Sequence, residues 1–281
     1  MWPAFVGFGA AVMIAQILGT LVLGALFFGQ RLMSGAPLVA DPGEMLGDLM
    51  RFVTSRTSLI AAGTVTSLTL LGSALVGARL SKTPAAVRLR LGPSRLGWGR
   101  TAVAAAGAVA VSWGYSSLIP LTGLDGIGMI HLFDKAFEDA TPGFLALAVL
   151  VIGLSAPIGE ELFFRGFVQT RLSQRWTRRA AIVTTALAFG LIHMDLIQSP
   201  FAVLAGLYLG WLTEIAGSVR PAIVAHVANN TLSVLMPRDG GPPSQTTHLV
   251  SLAISIVVVL AALLALRSAR PREAAGAAAA G

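Results

Sequence analysis

The sequence predicts an all-α, polytopic integral membrane protein of about eight transmembrane helices. Of its 281 residues 55% are hydrophobic and only 12% are charged. Mean hydropathy is +0.77, a profile that leaves no room for a large soluble domain beside the apolar segments. The apolar residues gather into runs near the length of about 20 residues that crosses a bilayer, and the basic residues fall in the short loops between them.

In order, the runs lie at 4–28, 57–80, 101–121, 143–164, 180–197, 200–217, 220–236 and 247–267. The three between 180 and 236 are short for a full span. Residues 1–122 thus hold three spans, 143–236 form a central block, and 247–272 hold the last helix with its basic end. The first run has no basic leader and is too long for a signal-peptide core, so it reads as a retained span. Between Gln30 and Arg56 the loop carries a short surface helix around Gly43–Val53. Residues 273–281 are low-complexity Ala and Gly and read as a disordered tail. There is no internal repeat, which weighs against a transporter built from inverted halves.

The net charge is +7. Arg79, Lys82, Arg88, Arg90, Arg95 and Arg100 fill the loop after the second run; Arg171, Arg175, Arg178 and Arg179 follow the fourth. Arg267, Arg270 and Arg272 mark the C-terminal end. With eight spans these three basic stretches share one side, expected to be cytoplasmic, with both termini on it and the chain in the cell membrane. The opposite loops carry Asp125, Asp134, Glu138 and Asp139. Charge placed this way is a topology signal rather than a nucleic-acid surface, so no nucleic-acid partner is expected. The absence of cysteine excludes disulfides, thiolate nucleophiles and Cys-type zinc sites.

The polar residues inside the runs break this pattern. Glu160-Glu161-Leu162-Phe163-Phe164-Arg165 sits in the fourth run, where each charge costs at least about 2.5 kcal/mol at mid-bilayer. Glu161 and Arg165 are four apart with the acid on the N-terminal side, the better orientation for a helical pair. Glu160 is rotated roughly 100° away and is left as the free carboxylate. The fifth run places Phe189 and His193 on one face, and the seventh places His226 and Asn230 on one face. Counted at about 1.5 Å per residue from the cytoplasmic ends, His226, Asn230 and His193 lie at unequal depths that helix tilt must reconcile.

Such a set suits amide hydrolysis, with Glu160 as general base toward water. Glu160, His193 and His226 could hold a zinc or other divalent ion that acidifies the water. Alternatively the two imidazoles and Asn230 stabilise the oxyanion with no metal; the residues alone leave both arrangements open.

Glu160-Glu161-x-x-x-Arg165, Phe189-x-x-x-His193 and His226-x-x-x-Asn230 resemble the three ordered motifs of the CAAX-prenyl-protease and bacteriocin-processing (CPBP, or Abi) family of intramembrane proteases. The resemblance covers about residues 143–236. It implies eight or so helices enclosing an intramembrane catalytic cavity open to cytoplasm and lipid. It also implies that Glu160 activates water, that His193, His226 and Asn230 complete the centre, and that Glu161 with Arg165 holds the helix. The implied substrate is a peptide or protein, lipidated or membrane-bound, met among membrane lipids in the cytoplasmic half of the bilayer.

Two other classes fit parts of the pattern. Intramembrane Glu and His also serve proton-coupled transporters, and a non-catalytic immunity or binding scaffold would keep the helices without the chemistry. Phe189 reads as packing beneath the centre, and Asn229, about 100° from Asn230, as helix-to-helix glue. Glu214 and His248 read as solvated residues near span ends, the segment Asp134–Asp139 as a solvated helix face, and His131 as having no role. Gly153, Gly159 and Gly166 read as points of close helix approach.

Overall fold

The computed structural model describes residues 2–37, 41–80, 82–127, 136–236 and 243–268, and among them there is no β-strand. Each of the eight apolar runs contains a helix. The helices are α1 (Trp2–Met33), α2 (Pro42–Val53), α3 (Arg56–Arg79), α4 (Ala85–Arg88), α5 (Trp98–Thr122), α6 (Pro142–Leu172), α7 (Arg178–Leu191), α8 (Gln198–Ala216), α9 (Arg220–Leu235) and α10 (Gln245–Arg267). The tail 273–281, His131 and Asp134 lie outside the described residues, while Glu138 and Asp139 are exposed.

Six helices, α1, α3, α5, α6, α8 and α10, are long and apolar enough to cross a membrane. The other two runs give shorter helices. α7 has 14 residues and α9 has 16, roughly 21 and 24 Å at 1.5 Å per residue, against a hydrocarbon core of about 30 Å. The fifth run was expected to be helical to 197, but α7 stops at Leu191. Met194 takes a left-handed backbone (φ 49), and Asp195 Oδ1 accepts from the backbone N–H groups of Ile197 and Gln198. A residue held at positive φ ends a right-handed helix, and the aspartate supplies the next helix with the acceptor its first turn lacks.

The other starts are written in the same chemistry. Ser55, Thr141, Thr177 and Ser244 each accept from a backbone N–H three residues on, at the heads of α3, α6, α7 and α10. Gly123 and Gly217 close α5 and α8 in the left-handed conformation.

α6 is the centre of the bundle and packs against α1, α3, α7, α8 and α9; α10 lies against α5 at the periphery. Every residue from Leu162 to Gln169 is buried, as expected of a helix turn apolar nearly all round. Phe163, Phe164 and Phe167 form one core with Leu70, Ala74 and Ala78 of α3 and Phe189 of α7. Outside it, the exposed side chains of α1 and α10 include Met13, Ile17, Leu21, Ile254, Val257 and Leu264, a lipid-facing surface rather than a wet one.

The basic loop before α5 also belongs to the tertiary structure. Arg90 pairs with Glu214 through Nη1 at 2.6 Å, and Gln169 Nε2 donates to the same carboxylate at 3.0 Å. Glu214 is therefore not the solvated residue the sequence suggests: its side chain is 10% exposed. The loop closes over the α8–α9 corner, where Val219 N–H donates to Arg90 O and Ser218 Oγ to Gly92 O, and folding it inward covers most of Glu214.

Three of the glycines of α6, Gly153, Gly159 and Gly166, sit at close approaches. A Cβ on Gly159 would lie 2.7 Å from the Ser67 carbonyl oxygen of α3, one on Gly166 3.1 Å from Leu89 O, and one on Gly153 2.8 Å from Thr231 Oγ1. At Gly159 the obstacle is backbone, so no rotamer change relieves it. Gly159→Ala should lower the thermal midpoint in detergent, at a cost of about 1–3 kcal/mol for overpacking. Gly72→Ala in α3, where a Cβ would meet nothing within 4 Å, should leave the midpoint unchanged or higher, and equal effects at both positions would refute the contact.

Candidate active site

α6 carries the two adjacent carboxylates into the middle of the bundle, and they meet different partners. Glu161, fully buried, accepts at one oxygen, Oε1, from Arg165 Nη1 at 2.7 Å and from His226 Nδ1 at 2.9 Å. Glu160 points the other way, its Oε2 lying 3.7 Å from His226 Nε2 with the side chain 13% exposed. His226 thus sits between the two acids. α6 runs on to Leu172, eight residues past position 164.

Arg165 is fully buried with Glu161. Its Nη2 donates to Gly206 O of α8 at 3.3 Å, and its guanidinium lies over the Phe189 ring at 4.5 Å. Buried ions persist only when paired and hydrogen-bonded, and a planar guanidinium satisfies a carboxylate, a carbonyl and an aromatic face at once. Phe189 also packs edge-to-face against His193 (5.0 Å) and His226 (5.9 Å). One aromatic ring therefore spaces both imidazoles and the arginine.

His193 is just past the end of α7, in a turn rather than inside a span. Its Nδ1 lies 2.8 Å from Phe189 O. A carbonyl oxygen only accepts, so Nδ1 carries the hydrogen, and the Glu161 carboxylate imposes the same tautomer on His226. Both rings, when neutral, therefore have an Nε2 lone pair available.

Glu160, His193, His226 and Asn230 all line one cavity of about 410 Å³. Asn229 lines it too, and its Nδ2 donates to Asn230 Oδ1 at 3.2 Å. Helical rotation alone placed Asn229 away from the centre; the cavity is wide enough along α9 to reach both. The remaining wall is mostly small or apolar, from Ala62, Gly63, Val111, Phe201, Ala205 and Leu209 among others.

The donor set bears on a metal. Imidazoles held through Nδ1 by a carboxylate and a carbonyl have the orientation that metal-ligating histidines use. Among the described residues, however, no three His, Cys, Asp or Glu side chains converge at metal-ligand spacing. Glu160, His193 and His226 do not form such a group.

Comparison with known proteins agrees with this architecture over its central block. Residues 142–232 match the family model described as type II CAAX prenyl endopeptidase Rce1-like, about a third of the chain and the part that carries all three motifs. No curated protein and no solved structure matches the chain. Six membrane-long helices support a multi-pass membrane protein, and over residues 142–232 the chain is similar to the Rce1-like type II CAAX prenyl endopeptidase family, a likeness that supports a peptidase.

Proposed function

We propose that the protein is an intramembrane endopeptidase that hydrolyses a peptide bond of a lipidated or membrane-bound substrate by glutamate-activated water. The observation that carries this reading is the convergence of Glu160, His193, His226 and Asn230 on one cavity inside the bundle. The basic loops on the α4 and α6–α7 side favour a cytoplasmic opening with cytoplasmic termini. Nucleic acid has no part in it.

Water in the cavity donates one hydrogen to the Glu160 carboxylate and the other to the His193 Nε2 lone pair. Its oxygen attacks the scissile carbonyl while Glu160 takes the proton. That proton then lies within reach of His226 Nε2, 3.7 Å from Glu160 Oε2. Transfer there makes an imidazolium whose Nδ1–H is already held by Glu161 and whose Nε2–H, with the Asn230 carboxamide, opposes the oxyanion charge. Collapse of the tetrahedral intermediate breaks the C–N bond and returns the proton to the leaving amine. Glu161 and Arg165 stay paired throughout and keep His226 in one tautomer.

Cleavage of a quenched fluorescent peptide ending in a farnesylated Cys-aliphatic-aliphatic-X sequence, in proteoliposomes, tests this reading. Glu160→Gln should lower kcat by about a thousandfold with an unchanged thermal midpoint; wild-type turnover would refute the mechanism. Glu161→Ala and Arg165→Ala should each cost about 3–5 kcal/mol of stability by stranding a buried charge, seen as a large fall in midpoint. Purified active protein should contain no stoichiometric metal on elemental analysis and should keep its rate in chelator, whereas loss of activity restored by zinc would establish a metal mechanism.

A further inference from the structure

α6 contains a proline in its interior, Pro157, three residues before Glu160. Proline has no N–H, so the carbonyl four residues back, Gly153, loses its α-helical donor. The helix responds with a π-helical segment over Val149–Ser155, in which Ala156 N–H reaches back to Val151 O. In that geometry the donor for Ile152 O would be the N–H five residues on, which is again Pro157. Position 157 is thus the donor that Gly153 O would have in α register and Ile152 O in π register, and proline withholds it where no lipid can supply another.

α9 donates to both carbonyls. Asn230 Nδ2 donates to Ile152 O at 3.2 Å, and Thr231 Oγ1 to Gly153 O at 3.4 Å. Gly153 permits the approach, since a Cβ there would lie 2.8 Å from Thr231 Oγ1. Glu160, about two turns further along α6, and His226, about one turn back along α9, stand 3.7 Å apart. We infer that Pro157, Asn230 and Thr231 form a brace that fixes the register of α6 against α9 and so sets the Glu160–His226 distance. Pro157 and Thr231 are positioning residues: Thr231 is not part of the cavity wall, and Pro157 acts by withholding a donor. Only in its kinetic consequence does the brace rest on the endopeptidase reading.

A double-mutant cycle in the full chain tests the brace. Asn230→Ala should lower the thermal midpoint in detergent by several degrees, and in a Pro157→Ala background, where residue 157 again offers an N–H, the further drop should be at most half as large. Equal drops in both backgrounds would overturn the brace. Should Pro157→Ala fail to fold, Asn230→Asp decides: it turns an oxygen toward Ile152 O and should lower the midpoint below that of Asn230→Ala, and an equal or higher midpoint overturns the brace. In the farnesylated-peptide assay Thr231→Val should lower kcat about three- to tenfold at constant KM, and Thr231→Ser should restore at least half of it. An unchanged kcat in Thr231→Val, or no recovery in Thr231→Ser, overturns the positioning role. A wild-type protein that does not cleave the peptide removes the endopeptidase reading, and the thermal cycle still decides the brace.

Discussion

The site depends on one oxygen atom, Glu161 Oε1, shared by Arg165 at 2.7 Å and His226 at 2.9 Å. In a medium that solvates ions poorly, a lone carboxylate at this depth would take up a proton or drag water in. The arginine removes that need, so Glu161 remains an acceptor and fixes the hydrogen of His226 on Nδ1. The two adjacent acids thereby become inequivalent: one is neutralised and committed to orienting a ring, the other is partly exposed and faces the cavity. A pair of identical side chains is separated into two roles by nothing more than the 100° turn between neighbours on a helix.

The shape of α6 follows from a second local chemistry. Pro157 and the π-helical turns on either side of Ala156–Glu161 make the helix irregular where it carries the acids. Irregular backbone in a membrane is sustained only when other protein groups satisfy it, and the carboxamide and hydroxyl of α9 do so. The small residues of α6 allow that approach. Packing and polar satisfaction thus reinforce each other: Gly153 brings α9 close enough for those hydrogen bonds, while Gly159 lets α3 approach from another side.

Charge outside the cavity is used in the same economical way. Arg90, which a reading of loops assigns to topology alone, grips Glu214 together with Gln169. That contact ties the loop before α5 to α8, the helix whose Gly206 carbonyl receives Arg165. The loop, the end of α6 and α8 are therefore one connected polar structure beneath the cavity.

Much of this was legible in the order of residues. Hydropathy determined the helices, because a segment that must satisfy its own backbone in lipid has few alternatives to an α-helix. The four-residue spacing of Glu161 and Arg165 likewise determined that they could pair, since both lie on one turn of one helix. What the sequence could not decide is everything that depends on a second element. That His226 binds Glu161 rather than Glu160 through Nδ1, that His193 stands in a turn beyond α7, that Asn229 reaches the cavity and that Glu214 is largely covered all follow from how separate helices and loops dock. Periodicity describes a helix about its own axis; the rotation and depth of one helix against another are set by packing across distant parts of the chain, and only the folded bundle fixes them.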